Sequence, residues 1–257
     1  NAKGAGGGLA MIEAAKAHDG LTLIITPDTH SALQAELEAE FFAGSALEIL
    51  LFPDWETLPY DSFSPHEDIL SQRLSTLARL PQLKKGVLIV PLSTLLHRLP
   101  PVSFLAGHSL HLDTGQEFDI DAVRKQLEEN GYRCVATVLE HGDFAVRGAI
   151  FDIFPMGSEA PYRIELFDNE IDTLRTFDPE SQRSLEKVDS VRLLPGREFP
   201  LNEAGIKRFK ENFKNTFDVD HRLCPVYQDI SAGIASAGIE YYLPLFFEKT
   251  QTLFDYI

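Results

Sequence analysis

In the stretch KGAGGGLA (residues 3–10), glycines Gly4, Gly6, Gly7 and Gly8 precede a helical run and then an apolar strand. That is the outline of a phosphate-binding loop, whose backbone N–H groups cradle phosphates while a Lys neutralises charge and a Ser or Thr hydroxyl holds magnesium. The pattern G-x-x-x-x-G-K-[ST] places the Lys and hydroxyl directly after a glycine. Here Leu9, Ala10 and Met11 follow, Lys3 comes too early and Lys16 lies well inside the expected helix. A helix N-terminus still attracts an anion through its dipole and free N–H groups, but without its cation this loop is not expected to turn over nucleotide. A glycine-rich turn without ligand is the plainer alternative. After the apolar run LEILLF (47–52), an acidic pair would be needed to hold the metal and orient water, but Pro53-Asp54-Trp55 stands there. No cofactor is expected for this chain.

Other residues with chemical potential fall short of a constellation. The eight histidines are scattered; His108 and His111 lie three apart with no H-E-x-x-H around them, and two ligands do not make a metal site. The G-x-S-x-G elbow of a hydrolase serine is absent, so Gly157-Ser158 is expected to be a turn. The run FDNEIDTLRTFDPE could hold a divalent cation or do acid–base work. Its Asp-Asn and Asp-Pro placements are those of hairpin turns, and solvated turns are the expectation. No catalytic residue is assigned.

A different signal lies in YRIELF (162–167). As a strand it puts Tyr162, Ile164 and Leu166 on one face and Arg163, Glu165 and Phe167 on the other. The first face is core. The second sets an arginine and a phenylalanine side by side within residues 139–178, which hold nine acidic and three basic residues. Arg and aromatic residues are favoured interface hot spots. Equally, Phe167 could cap a satellite core while Arg163 pairs with a neighbouring carboxylate, and spacing alone does not choose.

The elements that must position these residues can be read from periodicity. Helices are predicted over 9–18, 30–43 and 67–80, alternating with buried strands at 21–26, 47–52 and 86–91, which implies a parallel sheet with helices on both faces. After LAGHSLHL the pattern changes. A helix at about 120–130, started by Asp119 and closed by Gly131, turns Ile120, Val123 and Leu127 inward. The strand-like segments RCVATVLE, GAIFDIFP, YRIELF, TLRTFD and VRLLPG follow, separated by turn residues. After Pro195-Gly196 a helix with Ile206, Phe209, Phe213 and Phe217 opens a third region that runs to IEYYLPLFF. The expected units are an α/β domain over 1–107, a smaller α+β domain over 108–195 and a third part over 196–257.

The 257 residues allow two or three domains, and 44% hydrophobic with 24% charged residues suits an ordinary globular protein. A formal charge of −16 argues against broad contact with DNA phosphates, which depends on Lys and Arg. A partner protein or a basic surface is expected instead. Two distant cysteines, Cys134 and Cys224, suit a reducing cytoplasm rather than a disulfide or zinc framework. No apolar run approaches the ~18 residues that span a membrane, and no signal peptide is evident, so a cytoplasmic location without membrane contact is the expectation. A start at Asn1 and a finish at LFDYI suggest an excised piece of a longer chain.

The phrases FPDWETLPYDSFSPHEDILSQRLSTLARL, GVLIVPLSTLLHRLP and LEHGDFAVRGAIFDIFPMGSEAPYRIELFDNEIDTLRTFDPESQRS closely resemble the N-terminal region of the bacterial transcription-repair coupling factor family (Mfd). The similarity runs through essentially the whole chain, and it extends to the start of the excision-repair protein UvrB. The resemblance implies a degenerate RecA-like (P-loop NTPase-like) parallel-sheet domain, an inserted UvrA-binding domain and a return to the first domain after about residue 196. The span from Trp55 to Pro91 is too short for UvrB's DNA-clamping hairpin. Carried onto matching positions, the family's UvrA-contacting residues are Arg147, Arg163 and Phe167; their overlap with the strand-face pair decides for the interface reading. The guanidiniums are then expected to bind carboxylates on UvrA, with Phe167 as apolar anchor. The implied function is a non-catalytic module that recruits nucleotide excision repair to lesions where RNA polymerase has stalled. In the full-length family protein, ATP-driven translocation on DNA and RNA polymerase binding reside in later domains, and the C-terminal domain covers the UvrA-binding face until activation. The alternative is a nucleotide-binding, helicase-like ATPase domain acting on DNA.

Overall fold

A computed structural model describes residues 5–59, 61 and 63–257, and in it the first hundred residues alternate helix and strand. The order is α1 (Gly6–Ala17), β1 (Leu21–Thr26), α2 (Thr29–Ala43), β2 (Ile49–Leu51), α3 (Glu67–Arg79), β3 (Gly86–Pro91), and the short α4 (Leu92–Leu95) and α5 (Val102–Gly107). The turn after β1 works through Asp28, whose carboxylate accepts the Ser31 N–H and so caps α2. All three strands are parallel in the order β1-β3-β2. β3 is buried throughout: Leu88 and Val90 face one core, and Val87 and Ile89 the other. Helices α1 and α2 cover the second face with Ile12, Ala15, Ala32 and Ala39, and α3 covers the first with Leu74 and Leu77. The expected helix-covered parallel sheet is present with its three expected strands, β2 being shortened to three residues.

The middle of the chain contains β4 (Leu110–Asp113), α6 (Ile120–Glu129), β5 (Arg133–Cys134), β6 (Asp143–Arg147), β7 (Ile150–Ile153), β8 (Tyr162–Phe167), β9 (Glu170–Phe177), β10 (Ser184–Val188) and β11 (Ser190–Leu193). Six strands form one sheet in the order β10-β9-β8-β7-β6-β5, antiparallel except for the β5–β6 pair. Its inner face, with Phe144, Phe151, Ile164 and Leu174, shares a continuous core with the underside of the parallel sheet. Three expectations change here. RCVATVLE is a strand only at β5, because the Asp143 carboxylate accepts the N–H groups of Leu139 and Glu140 and folds the segment back. VRLLPG does not join the large sheet; as β11 it pairs with β4, a strand that periodicity missed. β6 and β10 were also missed, β6 because its short DFAVR run lies between Gly142 and Gly148, both at positive φ.

In the third part, α7 (Glu203–Thr216) and α8 (Pro225–Ser231) build an aromatic core from Phe199, Phe209, Phe213, Tyr227 and Phe246. It is tied back by backbone hydrogen bonds of 2.8 and 2.9 Å between Leu99 and Gln251, and by the Tyr256 hydroxyl donating to the Pro100 carbonyl at 2.8 Å. The first and third parts meet at Arg73. This side chain of α3 is fully buried and donates to both Glu198 oxygens, at 2.5 and 3.3 Å, and to the Pro53 carbonyl at 2.7 Å. Its guanidinium lies 4.3 Å from the Phe52 ring centroid and 4.8 Å from that of Trp55.

Removing one partner of such a pair strands the other charge in the core. Glu198→Ala is expected to cost about 3–5 kcal/mol in urea unfolding, followed by the fluorescence of Trp55, the chain's single tryptophan. The double variant Arg73→Met/Glu198→Leu should recover most of that loss.

Candidate protein-interaction face

The outer face of the six-stranded sheet is built by alternation. Along β6, β7, β8 and β9 the residues not taken by the core include Arg147, Asp152, Arg163, Glu165, Phe167 and Phe177. At one end a satellite core of Val138, Ala145, Phe154 and Phe177 lies under the folded-back segment 135–140. In the centre, Asp152 stands directly opposite Arg163 across the β7–β8 ladder. Its carboxylate is 1% exposed and accepts Arg163 Nε at 2.8 Å and Nη2 at 3.0 Å, a bidentate fork. Arg147 Nη2 donates to the same carboxylate from β6. The Asp152 hydrogen bond raises the Arg163 pKa above the usual guanidinium value.

The two expected arginines therefore differ. Arg163, 14% exposed, also donates Nη1 to the Gln182 carbonyl at 3.2 Å and lies 4.8 Å from the centroid of Phe177. Arg147 is 48% exposed, with Asp152 as its one partner among the described residues. Phe167, 73% exposed, stands at the far end of the face, where the Asp168-Asn169 turn, with Asp168 at φ 55°, reverses the chain into β9. Each half of the strand-face alternatives holds in part. Arg163 pairs with a neighbouring carboxylate, while Phe167 caps nothing. Spacing missed Asp152, although a single carboxylate inside the apolar run GAIFDIFP was the available signal.

The glycine cluster has a different role in the structure from a turn. Gly6, Gly7 and Gly8 form the first turn of α1, which starts three residues earlier than periodicity predicted, and Gly4 lies outside the described residues. A Cβ on Gly8 would lie 2.4 Å from Glu38 Oε2 and 2.9 Å from Glu38 Cβ, so this glycine lets α1 and α2 pack closely. At the carboxyl edge of the parallel sheet, Asp54 accepts the hydroxyls of Ser93 at 2.8 Å and Thr94 at 2.9 Å and the N–H of Glu56 at 3.0 Å. Burial raises its pKa, but these hydrogen bonds together bring it below the usual carboxylate value. Its oxygens tie strand ends together. Beside it Trp55 stacks on His97 with centroids 4.5 Å apart.

His108 and His111 are not brought together: His108 Nδ1 lies 2.8 Å from the Phe104 carbonyl, and His111 is near Asp113 on the surface. Among the described residues no group of three or more His, Cys, Asp or Glu could hold a metal, and no helix is long and apolar enough to cross a membrane. Both cysteines are free thiols. Gly157 and Ser158 sit in a turn, and Asp178 caps another by accepting the Ser181 N–H at 2.6 Å.

The segment that carries this face and the chain as a whole are each similar to known proteins. The family model described as the UvrB interaction domain matches residues 110–199. The chain is 50% identical over 247 residues to the transcription-repair-coupling factor of Escherichia coli (strain K12), covering 96% of this chain and 21% of that protein. It is 48% identical over 254 residues to that of Haemophilus influenzae (97% and 22%), and 35% identical over 196 residues to that of Staphylococcus aureus strain Mu50 (76% and 17%). The chain spans about a fifth of the length of these relatives.

The His97 environment generates a pH prediction. Burial first, and then repulsion from Arg73, lower its pKa from the ordinary 6.5 to about 4. The unfolded chain therefore takes up this proton first as pH falls, so His97's contribution is complete above pH 6.5 and erodes between 6.5 and 4. His97→Phe keeps the stack on Trp55 and removes the titration. Its unfolding free energy should fall less steeply than the wild type's across that window in urea titrations at stepped pH.

Proposed function

Since the chain corresponds to the N-terminal region of the transcription-repair-coupling factors and carries a UvrB interaction domain at residues 110–199, we propose that it is a non-catalytic module that binds UvrA. Binding uses the outer face of the six-stranded sheet and brings nucleotide excision repair to lesions where RNA polymerase has stalled. The observation that carries this reading is Phe167, a large apolar side chain 73% exposed on a sheet face that also presents the half-exposed guanidinium of Arg147. Phe167 is the apolar anchor and Arg147 supplies the positive charge that meets carboxylates on UvrA, with Arg163 behind it on Asp152.

The parallel-sheet part is a degenerate RecA-like domain over residues 1–107, the UvrA-binding domain is inserted over 108–195, and 196–257 returns to the first domain. The parallel order with helices on both faces supports this, as do the Leu99–Gln251 and Tyr256–Pro100 ties. The fragment binds no cofactor: no Lys follows the glycines, Gly8 is committed to helix packing and Asp54 to hydroxyls. In the whole protein, ATP-driven translocation on DNA and contact with RNA polymerase belong to later domains, and the C-terminal domain masks the UvrA-binding face. The cell compartment is the cytoplasm.

Phe167→Ala should leave thermal unfolding within about 0.5 kcal/mol of wild type, because its ring is mostly in water. It should weaken UvrA binding by at least about thirtyfold in isothermal titration. Wild-type affinity in this variant would overturn the assignment of the face. The rival reading, a nucleotide-dependent ATPase domain, is tested by titrating ATP with magnesium into the chain. No saturable heat is expected, and a micromolar isotherm would favour the rival.

A further inference from the structure

The centre of the face carries two cations on one anion. Asp152 is buried on β7, and both of its oxygens are engaged by Arg163, whose remaining terminal nitrogen is committed to the Gln182 carbonyl and lies 3.5 Å from Ser184 Oγ. Arg163 by itself therefore neutralises Asp152 and fixes it in place. Arg147 attaches to the Oδ2 atom of this already neutralised carboxylate with Nη2 and keeps about half its side chain in water. Within this triad one unit of positive charge is left over, on the guanidinium nearest the solvent; Glu165 stands on the same face, and Arg175 lies opposite Arg163 across the β8–β9 ladder. The surroundings are otherwise acidic: apart from Asp152, Arg147 and Arg163, the stretch 139–178 holds eight carboxylates and one basic residue, Arg175.

We infer that Asp152 is the positioning residue of the UvrA-binding face: held by Arg163, it orients the planar fork of Arg147 so that its free N–H groups are presented to a carboxylate on the partner. This rests on the UvrA reading above and divides the labour within it. A long, flexible side chain loses rotamer freedom when it binds, and a fork already fixed in the free protein has less left to lose. Arg163 contributes by keeping Asp152 satisfied. Without it Asp152 would neutralise Arg147 internally, and without Asp152 two guanidiniums would repel each other across adjacent ladders.

The test is a double-mutant cycle on UvrA affinity, measured by isothermal titration with the purified chain. Asp152→Asn should weaken binding by about tenfold, close to the loss in Arg147→Ala. The double variant Asp152→Asn/Arg147→Ala should bind no worse than Arg147→Ala alone, whereas Asp152→Asn/Phe167→Ala should show the product of the two losses. A merely structural role for Asp152 would multiply with both, and that result overturns the inference. If Asp152→Asn fails to fold, Arg147→Lys decides: it keeps the charge at a half-exposed position but not the fork, and should lose as much as Arg147→Ala. Wild-type affinity in Arg147→Lys would overturn orientation as the cause. A partner-free measurement separates the two layers: fast side-chain motion of Arg147, from its Nε–Hε relaxation, should rise in Asp152→Asn. That rise together with unchanged UvrA binding in Phe167→Ala and Arg147→Ala would sink the UvrA reading and leave the positioning intact. No rise would sink the positioning alone.

Discussion

A guanidinium that water does not reach joins the parts of this chain. Arg73 comes from a helix of the parallel-sheet part, Glu198 from the segment after β11, and the Pro53 carbonyl from just beyond β2. Taking both charges out of water costs several kcal/mol per ion, repaid only when the geometry is good and the remaining donors are satisfied. Here the fork is bidentate, a third donor has a carbonyl, and two aromatic rings lie against the cation. Nothing in the arrangement survives if one of the three segments moves away. The pair therefore fixes the segment after β11 against α3 and the end of β2 more strictly than apolar packing, which tolerates sliding.

The same rule, that a buried charge must be matched, governs the outer face on a smaller scale. Asp152 is as buried as Glu198, but its second cation stands at the edge of the sheet, where half the side chain remains in water. A constraint that is purely structural around Arg73 becomes a means of display around Arg147. Phe167 owes its exposure to position. It is the last residue of β8 before a tight turn, beyond the reach of the satellite core at the other end of the face.

The carboxyl edge of the parallel sheet shows the opposite development. Its polar groups are turned inward: Asp54 accepts two hydroxyls and an N–H, and Trp55 and His97 stack beneath it. The close approach of α1 and α2 at Gly8 gives that glycine a packing role. A helix–strand frame of this kind is held by its core.

The sequence by itself determined the long helices, the buried strands of the parallel sheet and the two-faced character of YRIELF, because periods of 3.6 and 2 are local consequences of backbone geometry. It also carried the phrases by which the family is recognised. It did not reveal β4, β6 or β10. Short strands with mixed faces are defined by their partners, and a partner such as β11 for β4 lies some eighty residues away. Nor could it choose between Arg163 as free cation and Arg163 as paired cation, since that depends on which residue of β7 stands opposite across the ladder. The tertiary structure put Asp152 there, buried Arg73 among Leu70, Leu74 and Leu77 on the inner face of α3, and left Phe167 uncovered. Each of these is a question of which charges and rings find a partner in space, and spacing along one chain does not contain the answer.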